Sequence, residues 1–176
     1  MAQAHQRPRQ KAQVALPPVI ADAGPLIALA KVKRLGLLKR VFGRVGFTSV
    51  VAGELRLGTA APGAAALDAA ITSGWLVRLP PDATKAPENR ILDAGEASCL
   101  AASAKVPGTL LLMDERLGRR EAQRLGIQYM GTAGVLCAAK ELGYLKAVLP
   151  VLAELSAAGY FLSDVVINDA RQRAGE

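Results

Sequence analysis

Short apolar runs alternate along the chain with stretches whose apolar residues recur at spacings of three and four. Val19-Ile20-Ala21 reads as a strand that ends on Asp22, and Leu26, Leu29, Ala30 and Lys33 then follow helical spacing after a Gly-Pro turn. Val45 to Ser49 is a second strand, and Thr48 or Ser49 is placed to cap a helix through Val50, Val51, Glu54 and Leu55. An Ala-rich helix follows from about Ala64 to Thr72, with Gly74 as its stop and Trp75 to Leu79 as the third strand. Pro80 to Pro87 has no periodicity and reads as a loop. Asp93 and Glu96 fit a capping box opening a helix whose buried face is Ala97, Leu100, Ala101 and Ala104.

The pattern then repeats. Thr109 to Met113 is an apolar run ending on Asp114, and a helix carrying Arg116, Arg119, Arg120 and Arg124 runs to Leu125-Gly126. Ile127 to Met130 is a fifth strand, and Thr132 is expected to cap a helix over Val135, Leu136, Ala139 and Leu142, closed by Gly143. Two further helices, about Lys146 to Ala157 and Ser163 to Arg173, complete the chain. Strands alternating with helices over short connections predict an α/β fold with a parallel sheet covered on both faces.

Length changes this picture little: 176 residues suit one domain. The first seventeen hold Gln, Arg, Pro and Lys without an apolar run, so the expected division is a disordered basic extension, 1–17, and a single domain, 18–176. Neither a secretory signal nor an apolar stretch of about 18 residues is present. Cys99 and Cys137 stand far apart inside predicted helices, without zinc-ligand or disulfide spacing. Buried free thiols in a reducing cytoplasm are the expectation. The net charge of +7, part of it from Arg7, Arg9 and Lys11, biases partners towards polyanions.

Asp22, Glu54, Glu96 and Asp114 occupy strand ends or first turns of helices. Each has an ordinary explanation as a cap or solvated charge. Taken together they read differently, because a parallel sheet places such strand ends on one edge. Carboxylates about 4 Å apart repel by several kcal/mol at an effective dielectric of 20, so they must share protons or bind a cation. Oxygen-only ligands select Mg²⁺ or Mn²⁺ over zinc. The single histidine, His5, lies in the extension, which disfavours histidine-based nucleases and zinc sites. Carboxylate-held Mg²⁺ beside Arg116, Arg119 and Arg120 suits attack of water on a phosphodiester, with the arginines on the phosphate backbone.

In these residues the chain resembles the PIN-domain family, and within it a compact prokaryotic branch related to VapC-type toxins. The matching segments are Ile20 to Ile27, Val51 to Leu55, Leu92 to Ala97, Met113 to Arg116 with Arg119 to Ala122, and Gly131 to Leu136. Their order and spacing carry the resemblance. It implies a three-layer α/β/α fold around a five-stranded parallel sheet, and an acidic Mg²⁺ or Mn²⁺ site that hydrolyses RNA. Asp22, Glu54, Glu96 and Asp114 match as its catalytic and metal-binding set, with Asp93 and Glu115 as alternative donors beside Glu96 and Asp114. Toxin-like members are held inactive by an antitoxin and often dimerise, so RNA, an antitoxin protein and a second copy are the implied partners.

The leading expectation is therefore a metal-dependent endoribonuclease, the toxin of a toxin–antitoxin pair being one form of it. The alternative is a nucleic-acid or protein-binding module that keeps the fold without turnover. A phosphoryl-transfer enzyme with Asp22 as nucleophile calls for a second acid two residues on, where Gly24 stands. The terminal apolar stripe Leu149, Val151, Leu152 and Leu155 offers a surface for a second copy or, by the favoured reading, for the chain's own core.

Overall fold

Three-residue apolar strands form the centre of the molecule: β1 (Val19–Ala21), β2 (Val45–Phe47), β3 (Leu76–Arg78), β4 (Leu110–Leu112) and β5 (Gln128–Met130). The structure, a computed structural model, describes residues 18–80 and 92–176. The predicted extension 1–17 and the loop from residue 81 to 87 lie outside the described residues. All pairings are parallel and the strand order is β3-β2-β1-β4-β5. Paired segments are shorter than the apolar runs because flanking residues extend the ladder only partly. The amide of Val45 donates to the Trp75 carbonyl at 2.9 Å, and that of Leu79 to Phe47 at 2.8 Å, outside the bounds of β3.

Along β1, β2 and β3 the chain steps one way across the sheet; it then crosses back to lay down β4 and β5 on the far side of β1. Right-handed crossovers turn that reversal into helices on opposite faces. One face carries α1 (Ala23–Lys31), α2 (Gly36–Phe42) and α4 (Ala64–Thr72), while the short α3 (Ser49–Glu54) packs on α1 and also on the first helix of the opposite face. On the other, α5 (Ala94–Ala104) packs on β1, β4 and α6 (Arg116–Arg124). The last three helices, α7 (Thr132–Glu141), α8 (Leu149–Ala157) and α9 (Asp164–Ala174), build outward from α1 and α2. The result is the three-layer α/β/α arrangement around a five-stranded parallel sheet.

Between the layers Leu26, Leu29, Leu38, Phe47, Leu111, Leu112, Met113 and Leu136 are fully buried. Each such side chain contributes roughly 1.5–3 kcal/mol of burial. Val151, Leu152 and Leu155 of α8 are buried in this same core and Leu149 is half-buried against it, so that stripe packs largely within the chain. Pro150, in the first turn, starts α8 three residues later than its apolar pattern suggests. Cys99 and Cys137 are free and buried. Among the described residues no helix is long and apolar enough to cross a membrane.

Candidate active site

Because the chain reverses direction across the sheet at β1 and β4, the crevice of such a fold opens at the carboxyl ends of these two strands. Asp22 and Asp114 stand there. The amide of Asp22 donates to the Leu112 carbonyl at 3.0 Å, which fixes the end of β1 against β4. Asp22 holds the N-cap position of α1, yet its side chain makes no capping hydrogen bond. It is only 9 % exposed, and its pKa is raised to about 6: burial dominates, the charges of Asp93 and Glu54 add to it, and the amides of Ala23 and Gly24 oppose it. Behind it the Cys99 thiol lies 4.0 Å from Oδ1, itself pushed well up by burial and by Asp22.

Glu96 comes from the first turn of α5, where the expected capping box forms. Its amide donates to Asp93 Oδ1 at 2.7 Å, while the Asp93 amide donates to Glu96 Oε2 at 3.2 Å. Glu96 is 5 % exposed, with its pKa raised to about 7 by burial first and then by the charge of Asp93; Asp22 and Glu115 add to the rise. Glu54, at the end of α3, reaches over Gly95 so closely that a Cβ there would collide with its carboxyl group. Partial burial and the charge of Asp93 raise the Glu54 pKa as well.

A buried hydroxyl pair joins these two helices. The Ser98 hydroxyl donates to the Gly95 carbonyl at 2.7 Å, so its 2.7 Å contact with Thr48 uses the Thr48 proton. Thr48 in turn accepts the Val51 amide at 3.1 Å and caps α3. One bridge thereby sets the helix bearing Glu54 against the helix bearing Glu96.

Asp114 is held from the other side. Its Oδ1 accepts the Thr132 amide at 2.9 Å, and Oδ2 accepts both the Thr132 hydroxyl and the Tyr160 hydroxyl at 2.5 Å. Thr132 is therefore the first residue of α7 and not its cap, a position taken by Gly131. Close approach explains that glycine: a Cβ there would lie 2.8 Å from Asp114 Oδ1 and 3.5 Å from Arg119 Nη1. The cap of α6 is Glu115, which accepts the Arg116 amide at 3.0 Å, leaving Asp114 to face the crevice. Arg119 is half-buried beside it, while Arg116 and Arg120 are exposed on the same helix. Tyr160, in the α8–α9 connection, carries no signal in the sequence pattern; only the fold brings it 46 positions back to Asp114.

Residues 18–176 match the family model of the PIN domain. The chain belongs to the PIN-domain family. Comparison with curated proteins and with solved structures finds no match. PIN domains are generally nucleases and usually use divalent metals. In this PIN domain the donor chemistry fits such a cation: Asp22, Glu54, Asp93 and Glu96 offer oxygens only, the charge of Asp93 adds to the raised pKa of the other three, and among the described residues they have no cationic partner. The fit lies in charge and donor type and not in a finished cage, since among the described residues no three acidic, histidine or cysteine side chains are grouped to enclose a metal ion.

Proposed function

We propose that this PIN domain is a metal-dependent endoribonuclease whose acidic site is formed by Asp22, Glu54, Glu96 and Asp114. The observation that carries the reading is the pair of nearly buried, uncompensated acids, Asp22 and Glu96, beside the switch point of the sheet. Burying carboxylates without a counter-charge is costly, so selection of such an arrangement makes sense where a cation completes it. Asp22, Glu54 and Glu96 would hold Mg²⁺ or Mn²⁺, with Asp114 entering from the β4 side. When bound, such an ion supplies compensating charge and a water acidified towards neutral pH. The protein's own part is to fix the acids: Thr48–Ser98 sets the Glu54 and Glu96 helices, and Thr132 with Tyr160 orients Asp114. Arg116, Arg119 and Arg120 are the proposed phosphate contacts, Arg119 nearest the acids.

The resemblance to VapC-type toxins supports a toxin role with an antitoxin partner, and the buried free thiols support a cytoplasmic setting. The deciding experiment is calorimetric titration of the protein with Mn²⁺ and Mg²⁺, alongside Asp22→Asn, followed by cleavage assays on a panel of single-stranded RNAs. Saturable binding that the substitution removes, with cleavage that depends on it, is the expected result. A folded protein that binds neither ion in the millimolar range overturns the reading in favour of a non-catalytic binding module.

A further inference from the structure

A cleft of about 390 Å³ lies between α1, the end of α3 and the α3–α4 connection, and Glu54 forms part of its wall. It thus adjoins the acidic site through a shared side chain. Its volume falls in the range of about 300–1,000 Å³ typical of small-molecule sites. Lys31, the last residue of α1, and Arg56, just beyond α3, bring two positive charges to it, and Ile27, Ala61 and Pro62 provide an apolar wall over the buried Leu67. Among the described residues neither cation is engaged in a salt bridge.

The loop that holds Arg56 is tied down. Arg56 adopts a left-handed backbone with φ of 50°, its carbonyl accepts the Thr59 hydroxyl at 2.6 Å, and the Gly58 amide donates to Asp68 of α4 at 2.9 Å. A non-glycine residue keeps such a backbone only where its surroundings enforce it, and here the enforced conformation sets a guanidinium at the cleft. Two cations beside an apolar wall recognise a ligand that joins an anion to a flat, weakly polar body. A nucleotide has that composition. An acidic peptide would satisfy the cations and leave the wall without a partner.

We infer that this cleft is a nucleotide subsite for single-stranded nucleic acid, with a phosphate on Lys31 and Arg56 and the attached base against Ile27, Ala61 and Pro62. The inference rests on the nuclease reading for its placement beside the scissile position, through Glu54. The subsite takes one nucleotide flanking the phosphate presented to the acids. Its wall is aliphatic, so base contact there is tolerant of sequence.

Fluorescence anisotropy of the full chain with labelled single-stranded RNA, in EDTA so that neither metal nor turnover enters, tests it. Lys31→Ala and Arg56→Gly, the latter also relieving the backbone, should each weaken binding several-fold and flatten the log–log salt slope by about 0.7. Pro62→Gly, at the exposed part of the wall, should weaken RNA but leave an abasic oligomer of the same length unaffected. Unchanged affinity in folded Lys31→Ala and Arg56→Gly proteins overturns the proposal, as does equal binding of the abasic oligomer or of a poly-aspartate peptide by the wild type. Loss of RNA binding in these variants together with absent metal binding by calorimetry would retain the subsite and remove the nuclease.

Discussion

The Tyr160 hydroxyl donates to Oδ2 of Asp114 at 2.5 Å, joining the α8–α9 connection to the end of β4. Burial, followed by the charge of Asp114, pushes the phenol upward, so it remains a donor across the physiological range. Replacing Tyr160 with Phe removes the donor and keeps the ring. The expected cost in thermal or urea unfolding is about 1–2 kcal/mol. If Asp114 serves a metal, Mn²⁺ affinity or cleavage should also fall about 10–100-fold, as for other groups that orient a ligand. Unaltered unfolding and unaltered Mn²⁺ binding would show that the hydrogen bond is idle.

Gly95→Ala separates the site from the fold. The second position of α5 accepts alanine, which gains up to about 1 kcal/mol of helix propensity over glycine. Its methyl group would occupy the space of the Glu54 carboxyl, driving that side chain off. Unchanged or raised melting temperature with loss of Mn²⁺ binding is the expected pair of results; retained binding would remove Glu54 from the site.

The acidic site makes the metal-free protein less stable as pH rises. Asp22 and Glu96, with pKa values raised to about 6 and 7, hold more protons folded than unfolded between roughly pH 4 and 7, so the unfolding free energy falls across that window. In EDTA the protein should be more stable at pH 5 than at pH 8, and Asp22→Asn should reduce that difference in unfolding free energy by about 1 kcal/mol. A melting temperature that is flat between these values would mean that the two acids are compensated.

At the far end of the chain the sign reverses. Glu176 accepts the Val148 and Leu149 amides at 2.7 and 3.0 Å, meets Lys140 at 2.7 Å, and has its pKa lowered to about 2. Lys140 is the first cause and the two amides at the start of α8 follow. Its stabilising contribution is complete above about pH 4.5 and is lost as pH falls towards 2. Glu176→Gln should therefore lower the melting temperature at pH 6 and leave it nearly unchanged at pH 2; equal effects at both would assign the loss to packing.

Arg119 and Arg120 are the proposed phosphate contacts on α6. Their joint replacement by Ala should reduce the log–log salt slope of binding by about 0.7 for each phosphate that the two arginines neutralise. A slope equal to that of the wild type would turn this face of α6 away from the nucleic acid.

What the sequence made legible was local. The cap at Thr48, the capping box of Asp93 and Glu96, and Asp22 at the end of β1 each follow from neighbours within a few positions, where spacing determines geometry. The choice between Asp114 and Glu115 was not legible, because it depends on which of them the turn commits to capping α6, and the backbone gives that place to Glu115. Thr132 shows the same limit: its hydroxyl was expected at its own helix and is spent on Asp114, 18 positions away. Tyr160 and the Thr48–Ser98 bridge depend on how separate elements meet, to which periodicity is blind. Strand lengths were overestimated because an apolar run records burial, whereas the paired ladder covers only three residues of each run, with single hydrogen bonds beyond it.

Strand order also bears on when the site comes into being. β1 pairs with β4 through Val19–Leu110, Ile20–Leu111 and Ala21–Leu112, partners that lie roughly ninety residues apart along the chain and so are slow to meet. Asp22 and Asp114 gain their common edge only when that pairing closes. On a ribosome the first aspartate emerges long before the second, and a chain still being made holds its acids apart. The same connectivity that separates the motifs in sequence keeps the proposed site unassembled until β4 has been made and paired.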